Sequence, residues 1–158
     1  MYDSIDSKIL QLLQRNGRVT QTELAAMVGL SSPAVAERIK KLEERGVIQG
    51  FQARLNPSAL NLGLTAFVSL RVDQLSSIPA FLEFINRIPN VLECHRVTGE
   101  DGFLLKIRVK DMHELESVLI QRILTLPGVS HSRTSIALST AKEETVLPLP
   151  QVAAYEAV

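Results

Sequence analysis

The sequence of 158 residues has a single cysteine, no apolar run of membrane-spanning length and no net charge. Because Cys94 has no second cysteine to pair with, an internal disulfide is excluded, as suits the reducing cytoplasm. No apolar stretch approaches the roughly 20 residues that cross a bilayer. The first ten residues also lack the basic head of a signal peptide. We therefore expect a cytoplasmic protein with no membrane partner.

Motifs of catalytic and metal sites are missing as well. The sequence contains no phosphate-binding loop, dinucleotide fingerprint, nucleophile elbow or cluster of metal ligands. Its three histidines are far apart along the chain, and we expect them to be surface or partly buried structural residues. Strand alternation places His95 on the same sheet face as Val91. We expect a protein that is not an enzyme and that holds neither a cofactor nor a metal ion.

The N-terminal third of the chain predicts three short helices. Apolar residues at helical spacing mark the first helix. Thr20 and Glu23 form a capping box at the start of the second, in which each side chain bonds the backbone N–H of the other residue. Gly29 ends that helix. The third is expected to begin at the N-cap Ser32 with Pro33 in its first turn. Its inward-facing residues are Val35, Ile39 and Leu42.

A β-prone segment, Val47–Leu55, follows these helices and is expected to form a short hairpin, the wing, that ends in a hinge. Strands and helices alternate in the rest of the chain, in the order β-α-β-β-α-β of the ferredoxin-like fold. The predicted strands are Leu64–Val72, Val91–Thr98, Phe103–Val109 and Val129–Leu138. The fold class is therefore α+β, with a winged helix-turn-helix domain in 1–62, a ferredoxin-like domain in 63–140 and a tail in 141–158.

The predicted helix-turn-helix, at about residues 21–40, points to DNA. In this motif the second helix enters the major groove with its N-terminal residues nearest the base edges. Arg38 is the candidate for a guanine edge, and basic residues around it are candidates for phosphates. The residues expected to contact DNA are Arg18, Thr20, Gln21, Ser31, Ser32, Pro33, Ala34, Glu37, Arg38, Lys40 and Lys41. The alternative is a solvated helix face whose charges pair at i,i+4 spacing.

The zero net charge argues at first sight against a nucleic-acid binder, but it hides an uneven distribution. Up to Leu62 the chain has eight Lys and Arg against six Asp and Glu, and the rest of the chain has the opposite imbalance. This small surplus predicts weak DNA binding by one copy, since affinity depends on the number of phosphates neutralised. Function by this route therefore implies an oligomer that presents two DNA-binding heads.

Several runs of residues resemble the leucine-responsive regulatory protein family (Lrp/AsnC). In the N-terminal part they include Val28-Gly29-Leu30-Ser31 and Gly46-Val47-Ile48-x-Gly50-Phe51, and further on Asn90-Val91-x-Glu93-Cys94-x-x-Val97-Thr98-Gly99 and Leu126-Pro127-Gly128-Val129. The resemblance covers nearly the whole chain. It implies a transcription regulator with a DNA-binding head, a ferredoxin-like domain that senses amino acids, and homodimers that often build octamers.

The resemblance also implies an effector pocket between dimers, near the turn after the second strand of the sensing domain. The effector-binding residues carried over by position are Thr98, Gly99, Glu100, Asp101, Gly102, Thr134, Ser135 and Ile136. Backbone N–H groups of such a turn can hold a carboxylate and its acidic side chains an ammonium. Family members commonly have Asp where this chain has Gly102. A plain hairpin turn is the alternative.

An enzyme with a similar two-domain build is the alternative function. The sirohaem decarboxylases resemble this architecture, and they would use histidines and arginines of the sensing-type domain to bind a tetrapyrrole. The residues for that role are His95, Arg96, His131 and Arg133. The basic recognition helix favours the regulator.

Overall fold

The computed structural model describes residues 2–149, which form two compact units. Of the described residues, the helical unit contains 2–54 and 142–149, and the sheet unit contains Leu55–Ala141. Within the described residues, no helix is both long enough and apolar enough to cross a membrane.

The helical unit is built on three helices, α1 (Ser4–Arg15), α2 (Gln21–Val28) and α3 (Ser32–Glu44). The capping box predicted at the start of α2 is confirmed: the Thr20 hydroxyl accepts from the Glu23 N–H at 3.2 Å, and Glu23 accepts from the Thr20 N–H at 2.8 Å. The three helices enclose a small apolar core. Its buried members are Ile9, Leu13, Leu24, Ala25 and Val35.

The start of α3 differs by one residue from the sequence prediction. Ser31, rather than Ser32, is the N-cap, and its hydroxyl accepts from the Ala34 N–H at 3.4 Å. Both serines are good caps, so the choice depends on the backbone. Gly29 reverses the chain direction with a φ of 73°. Ser31 then adopts the extended conformation of an N-cap, with φ at −78° and ψ at 153°.

The prediction that the wing forms a β-hairpin is wrong. The structure describes all of residues 47–55, and they contain no strand. The first two residues of the segment are used to close α3 instead. The backbone N–H groups of Val47 and Ile48 both donate to the carbonyl of Leu42, at 2.9 and 3.1 Å. Later in the segment, Arg54 donates through its side chain to the carbonyl of Glu143 at 2.7 Å.

The sheet unit has the predicted ferredoxin-like order. Its strands are β1 (Leu64–Val72), β2 (Val91–Arg96), β3 (Phe103–Val109) and β4 (Val129–Ile136), and its helices are α4 (Ile78–Ile85) and α5 (Met112–Ser117), the latter continued by a π-helical turn over Val118–Ile123. The strands lie in the order β2-β3-β1-β4, with every neighbouring pair antiparallel. The two edge strands are therefore β2 and β4.

One face of the sheet forms the core with the helices, and the other is more exposed. Along β3 every second residue from Phe103 to Val109 is buried, and along β1 Ala66, Val68 and Leu70 are buried. The ring of Phe103 packs against that of Phe81 on α4, with 4.9 Å between the ring centroids. We call the opposite face, which alternation gives to the remaining strand residues, the outer face.

A β-bulge on β2 changes which residues share a face. The register between β2 and β3 shifts between Val91 and Glu93. Strict alternation placed His95 with Val91, and this is wrong: Val91 and Cys94 pack against the core, whereas His95 is exposed and hydrogen-bonds Glu93 at 3.1 Å. An extra residue in one strand reverses the alternation beyond it.

Candidate nucleic-acid interface and ligand cleft

The N-terminal end of α3 presents small side chains to solvent. Ser31 and Pro33 are exposed, and Ser32 and Ala34 are partly exposed. Because none of these side chains is long, the backbone at this end of the helix can approach another surface closely. The helix dipole also favours a negative group such as a phosphate at this end, although Pro33 has no N–H and the Ala34 N–H already donates to the Ser31 hydroxyl.

The lysines of α3 lie on its exposed surface and pair with acidic residues of the same helix. Lys41 lies 3.3 Å from Glu37, and Lys40 lies 3.8 Å from Glu44, both at i,i+4 spacing. All four side chains are more than half exposed. Exposed pairs of this kind contribute only about 0.3–0.5 kcal/mol, so a phosphate can replace the glutamate at little cost.

Arg38 does not lie on this exposed surface, where the sequence prediction placed it. Its Nη1 donates to Asp3 Oδ2 at 2.8 Å and to Asp6 Oδ1 at 2.6 Å, both on the N-terminal turn of α1. These hydrogen bonds raise the pKa of Arg38 further above its ordinary value. The pKa of Asp3 is lowered chiefly by the Asp6 backbone N–H, with Arg38 adding to the effect against the opposing cost of burial.

The start of α2 carries the other residues expected to contact DNA. Arg18, Thr20 and Gln21 are exposed. The Thr20 hydroxyl is already engaged, because it caps the helix and also donates to the Glu23 carboxylate at 2.8 Å. The backbone and hydroxyl donors of Thr20 lower the pKa of Glu23. The structure thus leaves Arg18 and Gln21 as the more accessible of the three.

A cleft of about 870 Å³ lies on the outer face of the sheet unit, beside the turn between β2 and β3. The turn contributes to its walls four of the residues predicted to bind the effector, Thr98, Gly99, Glu100 and Asp101. Neighbouring strands and loops complete the lining. Their residues are Ser69, Arg71, Asp73, Val97, Leu104, Ser130, His131 and Arg133.

Four predicted effector residues do not line this cleft: Gly102, Thr134, Ser135 and Ile136. The register of β4 explains the last three. β4 runs antiparallel to β1, so its first residues lie beside the end of β1 that borders the turn. Thr134 and Ile136 pair with the buried Val68 and Ala66 and share their face, and Ser135 lies farther from the turn than Arg133.

Two arginines that flank the turn are tied to it. Arg71 Nε donates to the carbonyl of Glu100 at 2.8 Å, and Arg133 Nη2 lies 3.1 Å from Asp101 Oδ2. The cleft wall therefore has both positive groups, on the two arginines, and negative groups, on the acidic residues of the turn. Sequence reasoning did not identify Arg71, and the signal that places it at the cleft is the pairing of β1 with the start of β4.

The residues proposed for a tetrapyrrole are not brought together. His131 and Arg133 lie on β4, and His95 and Arg96 lie on β2, at the opposite edge of the sheet. Three strand spacings, about 14 Å, separate the two edges. Only His131 and Arg133 line the cleft. Neither the geometry nor the comparisons below support the sirohaem alternative.

Comparison with known proteins agrees with both halves of this description. Residues 2–49 match the family model described as winged helix-turn-helix DNA-binding, and residues 65–147 match the one described as Lrp/AsnC ligand binding domain. A leucine-responsive regulatory protein of Haemophilus influenzae is 40% identical over 150 residues, which are 93% of this chain and 90% of that protein. The protein of the same name from Escherichia coli K12 is 38% identical over 144 residues, 89% of this chain and 87% of that protein.

Solved structures with the same architecture include two complexes with an amino acid. A transcriptional regulator of Neisseria meningitidis in complex with L-methionine superposes with a TM-score of 0.89 at 35% identity, covering 94% of this chain and 97% of its own. The feast or famine regulatory protein of M. tuberculosis, complexed with L-methionine, gives 0.83 at 37% identity, covering 92% and 99%. With both family models matched in order and relatives aligned along most of its length, the chain belongs to the Lrp/AsnC family of DNA-binding transcription regulators.

Proposed function

We propose that this regulator acts in the cytoplasm as a homodimer or larger homo-oligomer on double-stranded DNA, and that an amino acid bound at the outer-face cleft modulates it without any reaction being catalysed. The observation that carries the proposal is the combination of an exposed, small-residue start of α3 with a polar cleft beside the β2–β3 turn. Two relatives of the same architecture are complexes with L-methionine.

The DNA contacts follow from the exposure of each side chain. Ser31 to Ala34 approach the base edges, because short side chains let the first turn of α3 enter the major groove. Glu37 faces the groove from the next turn. Lys40 and Lys41 contact phosphates once their glutamate partners are released, and Arg18 and Gln21 contact the backbone from the start of α2.

Assembly is part of the proposal because one copy is a weak DNA binder. The sequence up to Leu62, which contains the three helices, has a surplus of only two positive charges. Two heads on one duplex raise the effective concentration of the second head and hence the overall affinity. The outer face offers a surface for pairing two copies, with Phe67 38% exposed at its centre on β1.

The cleft suits a zwitterion. The arginines and the turn N–H groups can attract a carboxylate, and Glu100 and Asp101 can attract an ammonium group. Such a ligand changes DNA affinity only if it binds one assembly or one head spacing more tightly than another. The mechanism is therefore a ligand-biased change in assembly.

The DNA surface is tested with a mobility shift on the DNA upstream of the protein's own gene. We expect Lys41→Ala to weaken binding and to reduce the slope of log affinity against log salt by about one. Lys8→Ala is the matched control, because Lys8 is an exposed lysine of the same unit on α1. Equal losses from both substitutions would mean that α3 has no special role.

The cleft is tested by calorimetry with each standard amino acid. We expect heat from at least one of them and its loss in Asp101→Asn, since Asp101 is part of the cleft wall. Glu116→Gln, an exposed carboxylate on α5 outside the cleft, should retain the heat. Absence of heat with all amino acids would contradict the proposed effector class.

A further inference from the structure

We propose that Arg38 is a positioning residue that fixes the orientation of α3 on α1, and that it does not contact bases. The inference rests on the proposed DNA surface and adds to it the device that holds that surface in place. Arg38 binds two carboxylates of α1 through one nitrogen, at 2.8 and 2.6 Å.

The same two carboxylates also cap α1. Asp3 Oδ1 accepts from the Asp6 N–H at 2.8 Å, and Asp6 Oδ2 accepts from the Asp3 N–H at 3.1 Å. Each carboxylate thus uses one oxygen for the capping box and the other for Arg38. All four oxygens are engaged, so the position of the guanidinium is fixed by the first turn of α1.

Burial distinguishes this cluster from the lysine pairs of α3. The Asp6 side chain is 11% exposed, and that of Arg38 is 31% exposed. A carboxylate this buried is costly without a cationic partner, whereas the partners of the exposed lysines can be solvated. Arg38 therefore stays with Asp6 when DNA is present, while Lys40 and Lys41 are free to exchange partners.

The ion pair fixes the rotation of α3 about its own axis more tightly than the apolar contacts of the helix do. Val35 and Leu42, three residues before and four after Arg38, pack on the same side of the helix and are buried. Apolar packing is not directional, but a charge-assisted hydrogen bond has a defined geometry. Arg38 lies one turn after Ala34, so a rotation of α3 about its axis would move the base-facing first turn.

The test measures DNA affinity of Arg38→Met, Asp6→Asn and the double variant on the operator and on single-base variants of it, at a temperature where each protein is fully folded. We expect each single variant to lose about tenfold in affinity, about 1.4 kcal/mol, on every sequence alike. The double variant should lose no more than either single one, and Arg38→Lys should recover part of the loss. If Asp6 had no positioning role, removing its negative charge would strengthen binding to DNA, which is also negative. A loss of affinity in Asp6→Asn is therefore evidence for positioning.

Two controls separate positioning from other roles. Ile9→Val lowers the stability of the same core without touching the ion pair, and it should leave affinity unchanged. If Asp6→Asn binds as well as the parent or better, and Arg38→Met relaxes the preference at one base pair, then Arg38 reads that base and the inference is overturned. Failure of the parent to bind any DNA specifically would instead overturn the proposed DNA surface as well.

Discussion

Gly29 connects the two helices of the helix-turn-helix and adopts the left-handed conformation, with φ at 73°. Any other L-residue except Asn is strained there, so we expect Gly29→Ala to lower the free energy of unfolding by about 1 kcal/mol. A Cβ at this position would meet nothing within 4 Å, which leaves conformational strain as the cause. Urea denaturation measures the effect.

The matched control for Gly29 is Gly63→Ala. A Cβ at Gly63 also meets nothing within 4 Å, and its φ is outside the left-handed region. We expect no loss there, and Gly29→Asn should lose less than Gly29→Ala because Asn tolerates this conformation. Equal losses from the two alanine variants would contradict the argument from backbone strain.

Asp3 gives a residue-scale prediction about pH. Its folded-state pKa is lowered from 3.8, so its ionised form stabilises the fold above that value, and this stabilisation is lost as the pH falls through the lowered pKa. Asn caps a helix as well as Asp does, so Asp3→Asn removes mainly the charge. Because the side chain is 51% exposed, we expect a loss of only about 0.5 kcal/mol at pH 7.

The difference in stability between this variant and the parent should shrink as the pH falls below 3.8. Urea denaturation at pH 7, 5 and 2.5 measures the difference. A difference that persists unchanged at the lowest pH would show that the amide disturbs the capping geometry, rather than that the charge stabilises the fold.

Arg38 shows what a single sequence offers at this scale. Its position three residues after Val35 and four before Leu42 puts it beside the buried stripe of α3, and an acidic pair, Asp3 and Asp6, has the spacing of a capping box. Both signals were present in the sequence. Their meeting was not predictable, because it depends on how α1 packs across α3.

At the scale of elements, the residues of β1 and β3 were predicted as the structure has them, because an apolar residue at every second position over seven or more residues specifies a half-buried strand. The bulge in β2 has no such signature, so the face of His95 was assigned wrongly. The wing failed for another reason: Val47 and Ile48 have strand-forming side chains, but their N–H groups bond the last turn of α3. The hydrogen bonds that close the end of α3 thus outweigh the strand propensity of these two side chains.

The segment after β4 provides an element-scale prediction. Gln14 on α1 accepts from the Leu147 N–H at 2.7 Å and donates to the Leu147 carbonyl at 3.3 Å. We expect Gln14→Ala to speed amide hydrogen exchange at Leu147 by about tenfold, because the N–H loses its acceptor. Gln11→Ala, at an exposed position of the same helix, should leave this exchange unchanged. Unaltered protection in Gln14→Ala would mean that other contacts hold the segment.

At the scale of the whole molecule, the surplus of two positive charges up to Leu62 is not balanced by the sheet unit, because Leu55–Ala141 contain eight Lys and Arg against eight Asp and Glu. The balancing deficit lies in the sequence from Lys142 onward, which has one lysine against three glutamates. The surplus could be counted from the sequence, but the neutrality of the sheet unit depends on where the structure ends it. The cleft was only partly predictable, since the turn could be located but Arg71 and Arg133 reach it through the antiparallel pairing of β1 with β4. Long-range pairing of this kind leaves no local pattern.

The small positive surplus of the sequence up to Leu62 also predicts how binding depends on operator geometry. If one head grips DNA weakly and two heads act together, their half-sites must lie on one side of the duplex, an integral number of about 10.5-bp turns apart. Inserting about 5 bp between half-sites turns one of them away, and we expect a loss of at least tenfold in affinity. Inserting about 10 bp restores the facing and serves as the control for length, so a gel-shift series over both insertions measures the periodicity. Equal affinity for the two insertions would mean that a single head binds the DNA. In that case base contacts, and not a second head, would have to supply the affinity that a surplus of two positive charges does not give.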